Sequence, residues 1–377
     1  MQEKFNYTTV AQRYTARFPL LSYVYIQTSF WIVANLLLVV MMDLQFKIFG
    51  QSFNISLAEQ TKPFYMIALL LGAVYGVSLG LTGYYLDKSA MRQQSLGKVI
   101  LFKALISLAV LILLLLLIRY FLYDHIIAPT LYMQPGSLTD KAWKYAANLL
   151  MVYYFFMTLV ISFINQINKK YGPGVLLPLL FGKYRNPVEE DRMFLFMDLK
   201  SSTTIAEQLG HLKYSAFIRD CFADINEVLF PFRAQVYQYV GDEIVITWPE
   251  NEGLKNLACI RFYFACNRQF ALRSNHYQST YGALPRFKAG LHTGRVTAVE
   301  IGVVKRDIAY HGDTLNTASR IQSVCNQYNK DFLTSAHLVN KLKSDDGISN
   351  VSMGKILLRG KKDPIEIVSI EALATEM

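Results

Sequence analysis

Four long apolar segments crowd the first 170 residues, at approximately 21–42, 64–86, 99–120 and 146–167. The third contains the unbroken run Leu111-Ile-Leu-Leu-Leu-Leu-Leu-Ile118. A helix needs about 20 mostly apolar residues to cross a bilayer, and helices satisfy their own backbone polar groups there. Residues 1–170 are therefore expected to form a transmembrane domain of four spans. The fourth is the most polar, carrying Asn148 and ending in Asn165-Gln-Ile-Asn168. The first follows Lys4, Arg13 and Arg17, is too long for a signal-peptide core and lacks a small-residue cleavage site. It reads as a retained span.

Basic residues set the expected topology. Lys4, Arg13 and Arg17, then Lys88, Arg92 and Lys98, then Lys169, Lys170, Lys183 and Arg185 mark one side of the membrane. The other connections carry Lys47 and Lys62, and Arg119, Lys141 and Lys144. The bias places both termini in the cytoplasm. It also accounts for the net charge of +10. With no lysine-rich arm and no nucleic-acid motif, the expected partner of this half is the lipid bilayer, not nucleic acid. Lys103, near one end of the third span, is expected to snorkel to the headgroups. Tyr23, Tyr25, Trp31, Tyr84, Tyr85, Tyr120, Trp143 and Tyr145 read as interfacial aromatics. No charge stands near a span centre, which disfavours a transporter.

Residues 171–190 begin Tyr171-Gly-Pro-Gly-Val-Leu-Leu-Pro-Leu-Leu-Phe-Gly182. The prolines and glycines stop a continuous helix, yet the apolar run 175–181 needs something to pack on. This stretch is expected to be a structured coupling element.

Residues 191–372 alternate strands and helices. Strands are expected at 193–197, on both sides of Gly241-Asp242, at 286–301 and 307–310, and near 331–335, 354–359 and 365–370. Helices are expected at 204–228, 253–272 and 314–327. The first has Ile205, Leu209, Phe217 and Cys221 near helical spacing. The pattern describes one layered α/β domain. Cys221, Cys259, Cys266 and Cys325 fit no zinc spacing and read as buried free thiols in a reducing compartment.

Three motifs carry the chemistry: Phe196-Met-Asp-Leu-Lys-Ser-Ser-Thr203, Tyr239-Val-Gly-Asp-Glu243 and Asn316-Thr-Ala-Ser-Arg320. Asp198 ends a strand and precedes a helix, and Asp242 sits in a tight turn between two strands. If those strands are neighbours, both carboxylates reach one point and can share hard cations such as Mg²⁺. Asn316 and Arg320 are four apart and so share a helix face. Singly these are ordinary features, a helix cap, a hairpin turn and a solvated helix. In this order they point to phosphoryl or nucleotidyl transfer. His292 reads as structural.

Together with Gly290-Leu-His-Thr-Gly294, the run from Gly312 to Arg320 and Arg359-Gly-Lys361, the motifs resemble the class III nucleotidyl cyclase catalytic domain over about residues 192–370. With its spans, the chain looks like a bacterial membrane-anchored adenylate cyclase. The resemblance implies a ferredoxin-like, palm-type fold with a mixed and largely antiparallel sheet. It implies conversion of ATP to 3′,5′-cyclic AMP and pyrophosphate in signal transduction. Two Mg²⁺ or Mn²⁺ ions per site are implied, on Asp198, Asp242 and the carbonyl of Leu199. The amides of Lys200, Ser201, Ser202 and Thr203 would cradle phosphate, Asn316 hold the ribose, Arg320 face the α-phosphate and Lys361 the terminal phosphates, with Lys362 beside it. The family's site forms between two subunits, so a homodimer with shared sites is implied. So is a multi-pass protein of a bacterial inner membrane, its catalytic domain cytoplasmic.

The base-reading positions depart from the family. Adenylate cyclases usually have Lys and then Asp or Thr there, and guanylate cyclases Glu and Cys; this chain has Gln238 and Ala309. Glutamine both donates and accepts and can read either purine. ATP is expected from the resemblance of the whole chain, with GTP as the alternative. A diguanylate cyclase is disfavoured by Val240 and Ile244 beside the turn, and it gives Asn316 and Arg320 no role. A non-catalytic nucleotide-binding sensor is disfavoured because Asp198, Asp242, Asn316 and Arg320 are all present.

Overall fold

The computed structural model describes residues 18–53, 62–88, 96–127, 129, 139–171, 182–303, 306–342 and 348–373. They fall in two compact units, Phe18–Leu176 and the region from Leu177 onward. Lys4, Arg13, Arg17, Arg92 and residues 172–181 of the expected coupling element lie outside the described residues.

The first unit holds helices α1 (Pro19–Phe53), α2 (Lys62–Lys88), α3 (Leu96–Leu117) and α4 (Asp140–Tyr171). Each is long and apolar enough to cross a membrane. Helix α1 runs past residue 42, where the Asp43–Lys47 pair (2.8 Å, one turn apart) supports another helical turn. Helices α1 and α2 touch backbone to backbone. A Cβ at Gly72, Gly76 or Gly80 would come within 2.5–2.8 Å of an α1 Cα. Between apolar helices in lipid there is little hydrophobic drive, so close packing of small residues carries the association.

Several polar groups inside this bundle pair with one another. The Tyr75 hydroxyl donates to the Ser107 carbonyl (2.7 Å), Ser107 Oγ bonds Thr158 Oγ1 (2.6 Å), and the Tyr154 hydroxyl donates to Asn35 Oδ1 (2.7 Å). One expectation changes here. Trp31 is a core residue, stacked on Tyr154 with centroids 5.1 Å apart and set edge-on to Tyr75 at 4.4 Å. That burial depends on neighbours brought by other helices. Lys103 donates to the Tyr23 hydroxyl at 3.2 Å.

The second unit is built on strands β1 (Val188–Leu199), β2 (Gln235–Val240), β3 (Glu243–Pro249), β4 (Phe287–Ile301), β5 (Asp307–His311), β6 (Phe332–Ser335), β7 (Ile348–Ile356) and β8 (Ile365–Leu373). The sheet order is β2-β3-β1-β4-β6-β8-β7, with β5 paired to β4. Only the β4–β6 pairing is parallel among those described. The order β2-β3-β1-β4 with helices after β1 and β3 is the ferredoxin-like arrangement that was expected. Strand alternation sorts the core. Met193, Leu195 and Met197 of β1 pack with helices α5 (Ser202–Val228) and α6 (Ala258–Leu272). Phe194 points to the other face, towards Ala318 of a later helix.

Local boundaries differ from the sequence reading for identifiable reasons. β1 begins at Val188 because Val188–Arg192 pair with β4 despite their charges. Helix α5 breaks at Gly210, which has φ +71°. Helix α6 starts at Ala258 after left-handed Asn256 and Leu257. The polar helix α7 (Ser274–Tyr281) was not expected. It is held by Tyr277 and Tyr281, which donate to Asp224 and Asp220. Helix α8 (Asp313–Ser323) ends earlier than 327, and β7 lies ahead of the 354–359 strand reading. The four cysteines are buried and free, as expected.

Candidate active site

The ends of β1 and β3 gather the carboxylates. Asp198 pairs in register with Glu243 on one side and Lys288 on the other. Asp242 occupies the turn between β2 and β3, directly before Glu243. Asp198 Oδ2 is 3.0 Å from Lys288 Nζ and accepts a hydrogen bond from Gln322 Nε2 at 3.2 Å. Burial, and then the charges of Asp198 and Asp242, push the Glu243 carboxyl up to about 7. Two carboxylates and the partly protonated Glu243 thus stand against one ammonium, an arrangement that suits a cation.

The segment after β1 adjoins this cluster. Leu199 is buried, and the Lys200 amide donates to the Arg286 carbonyl at 2.8 Å while its ammonium pairs with Asp331. Ser201 takes a left-handed conformation (φ 55°) and turns the chain into α5. Ser202 and Thr203 head that helix, where no preceding turn can accept from their amides. Tyr214, one helical face along, is raised by burial and then by Asp242, and bonds Ser202. The helix start and the carboxylates therefore share one neighbourhood.

Helix α8 carries the second group. Gly290 of β4 has no room for a Cβ because the Gln322 and Ala318 backbone lies against it. This close approach brings Gln322 to Asp198. At about 100° per residue, Arg320 lies roughly 160° and Asn316 roughly 120° around the helix from Gln322. Asn316 is exposed, and Arg320 lies along Gly360, whose added Cβ would be 3.2 Å from Arg320 Nη2. Lys361 pairs with Asp313 at the start of α8, whose carboxyl is raised by burial but held below its usual value overall by that lysine. Lys362 is exposed. The chain thus brings Asp198, Asp242 and Ser202 together, and Arg320 with Lys361, but aims the second group away from the first.

Gln238 and Ala309 flank a third contact. Tyr237 and Tyr310 meet at 5.1 Å, and the Tyr310 amide donates to the Tyr237 hydroxyl at 3.4 Å. Gln238 is exposed on edge strand β2, just past a register shift, and Ala309 is 9% exposed. Arg192 stacks its guanidinium 4.7 Å over Tyr310 and donates to Glu190 at 3.0 Å. The Tyr184 hydroxyl donates to Glu190 at 3.2 Å, and its carbonyl accepts from the Glu300 amide at 2.8 Å. Burial raises Glu190, but Arg192 and Lys183 hold it below the usual carboxylate range. His292, driven down to about 4 by burial and by His337, is a neutral partner of Ser335 at 2.7 Å, in keeping with a structural role.

Sequence reasoning missed Lys288 and Gln322 and gave Glu243 no role. Lys288 had a signal, a charge between Phe287 and Ala289 in an apolar strand. Gln322 had none, since its partner is 124 residues away.

Among the described residues no cluster of three or more His, Cys, Asp or Glu forms a ready-made metal cage. A carboxylate pair is nonetheless a fit donor set for Mg²⁺, which commonly binds one or two carboxylates and completes its shell with water and substrate phosphates.

Residues 187–371 match the family described as the adenylate and guanylate cyclase catalytic domain. Adenylate cyclase 2 of Rhizobium meliloti (strain 1021) is 36% identical over 212 residues, 56% of this chain and 58% of that protein. Adenylate cyclase of Anabaena cylindrica is 26% identical over 183 residues, 47% and 36% of the respective chains. Guanylate cyclase D of Mus musculus is 26% identical over 199 residues, 50% and 17%. The chain spans 58% or less of the length of each of these relatives.

Proposed function

We propose, since residues 187–371 belong to the class III nucleotidyl cyclase family, that this chain is a membrane-anchored adenylate cyclase making 3′,5′-cyclic AMP and pyrophosphate from ATP. The observation that carries the reading is the carboxylate cluster of Asp198, Asp242 and Glu243 at adjoining strand ends, beside the start of α5. Its organisation is read as a membrane domain (1–170), a coupling element (171–190) and a catalytic domain (191–372). The catalytic domain would face the cytoplasm of a bacterium, beneath its inner membrane.

Asp198 and Asp242, with the Leu199 carbonyl, would hold two divalent ions, Mg²⁺ or Mn²⁺. Such ions lower the pKa of a bound hydroxyl and offset phosphate charge. Lys288 fixes the Asp198 carboxylate and adds one positive charge beside the site. The amides at the head of α5 offer donors to phosphate oxygens. Asn316 would orient the ribose, and Arg320 would donate to the α-phosphate as charge builds there. Lys361, now on Asp313, would exchange that carboxylate for terminal phosphates.

Asn316 and Arg320 face away from Asp198 of their own chain, which supports a homodimer in which each site takes carboxylates from one protomer and the Asn/Arg pair from its partner. The base positions Gln238 and Ala309 support a second reading, GTP as substrate, because neither matches the usual adenine readers. Purified full-length protein given ATP or GTP with Mg²⁺ or Mn²⁺, products resolved by chromatography, tests both. Cyclic AMP is the expected product. Cyclic GMP alone overturns the base assignment, and no cyclic product overturns the enzyme.

A further inference from the structure

Gln238 and Ala309 each adjoin a ring of one aromatic cluster. Tyr237, Tyr310 and Phe194 meet edge to face, with centroids 5.1 Å (Tyr237–Tyr310), 5.5 Å (Phe194–Tyr310) and 6.0 Å (Phe194–Tyr237) apart. Tyr237 falls where the register of β2 on β3 shifts, between Val236 and Gln238. Such an irregularity re-aims the side chains beside it. The Tyr310 amide donates to the Tyr237 hydroxyl at 3.4 Å, so the two strands are tied next to Gln238 and Ala309. Arg192 closes the cluster. It is 4% exposed, stacks 4.7 Å over Tyr310 of β5, and donates to Gln235 of β2 at 2.9 Å and to Thr247 of β3 at 3.2 Å. Its remaining bond is to Glu190 at 3.0 Å. A buried guanidinium is costly to desolvate, and an apolar side chain of similar volume would fill the space at less cost. What arginine alone offers is a planar face for a ring and a fork of donors in fixed directions.

We infer that Arg192 is a positioning residue for purine selection, holding the strands that carry Gln238 and Ala309 so that their placement chooses the base. Gln238 and Ala309 are taken as the base positions, as in the function proposed above, and the role of Arg192 rests on that reading. The chemistry of the two residues calls for such a clamp. The Gln238 amide has a donor end and an acceptor end, so either purine edge can be met by turning it. Ala309 has no polar side-chain atom and can admit or exclude a base only by where its methyl and backbone lie. Neither discriminates unless its strand is held, and a misplacement of about 1 Å can cost ~10²-fold. Arg192 acts through Tyr310 and Gln235. Its own anchor, Glu190, also accepts from the Tyr184 hydroxyl and from Lys183, each at 3.2 Å. The clamp is thereby fastened to the segment that leads into β1.

The test titrates full-length protein in phospholipid vesicles, with Mn²⁺ present, against methylanthraniloyl derivatives of 3′-deoxy-ATP and 3′-deoxy-GTP. These fluorescent analogues lack the hydroxyl expected to react. The readout is the ratio of their two dissociation constants. A merely structural role for Arg192 would lower the binding-competent fraction or weaken both analogues alike, leaving the ratio unmoved. Wild type is expected to prefer the adenine analogue by about tenfold or more. Arg192→Lys keeps the charge but loses the planar stack and the fork, and should lose about tenfold of that preference. Tyr310→Leu should do the same from the other side of the stack, whereas Tyr310→Phe keeps the ring and should keep the preference. A ratio unchanged in both Arg192→Lys and Tyr310→Leu overturns the inference, as does a Tyr310→Phe ratio shifted as far as that of Tyr310→Leu. So does a wild type that binds both analogues equally or neither. Failure of the cyclase function is seen separately, as the absence of cyclic product from ATP and GTP, because this titration needs no turnover.

Discussion

Asp198 and Arg320 are served by the same helix, α8, but from opposite sides. Asp198 is fixed from within its chain, by Lys288 at 3.0 Å, by Gln322 at 3.2 Å and by its register with Glu243. Arg320 lies along Gly360 on a face where Asn316 is exposed. One half of the proposed site is thus built inward and stabilised by sheet packing. The other is presented outward, ready for something its own chain does not supply. A helix can do both because residues two or six positions apart point in widely different directions.

The largest expected effect separates these halves. Asp198→Ala and Arg320→Ala should each lower cyclic nucleotide formation by ~10²–10³-fold or more, the usual loss for a transition-state donor. Mixed as one heterodimer, the two inactive chains should regain one intact site. If the mixture stays as inactive as its components, the outward half does not serve a partner and the comparison breaks.

Gln322→Leu should act on the inward half alone. Loss of the Asp198 hydrogen bond is expected to weaken Mn²⁺ binding by about 10–100-fold, as removal of a ligand's orienting partner does. Titration of Mn²⁺ by electron paramagnetic resonance checks this, and unchanged affinity would show that Lys288 alone positions Asp198. Gly290→Ala should destabilise the catalytic unit by about 1–3 kcal/mol through overpacking, because α8 must move off β4. Denaturant melts read that loss.

The smallest effect is electrostatic. Glu243 has a folded-state pKa of about 7, above its ordinary 4.5. Between those values the native state holds a proton that the unfolded chain releases, so stability without metal should fall as pH rises from about 4.5 to about 7. Its side chain is only partly buried, so the slope is shallow. Glu243→Gln should flatten it in melts across that range, and an unchanged slope would place its origin elsewhere.

Much of this was legible from residues close in sequence. The spans follow from apolar length alone, and the four helices appear where hydropathy places them. Asp198 and Asp242 stand out because strand ends and a Gly-Asp turn are local patterns. Trp31 misled, since an aromatic in a span looks the same at an interface as in a core. Helix α7 was unreadable for a related reason: Tyr277 and Tyr281 hold it by reaching the buried Asp224 and the partly buried Asp220 on α5.

By itself the sequence determined which segments are long and apolar enough to cross a membrane, which motifs are candidates for the chemistry, and that Asn316 and Arg320 share a face. These depend on periodicities of a few residues, fixed by backbone geometry. Only the tertiary structure decided that Lys288 and Gln322 meet Asp198, that the Asn/Arg face turns away from it, and that Arg192 stacks on Tyr310. Those facts depend on strand register and helix contact between residues tens to more than a hundred positions apart, where no local pattern reaches.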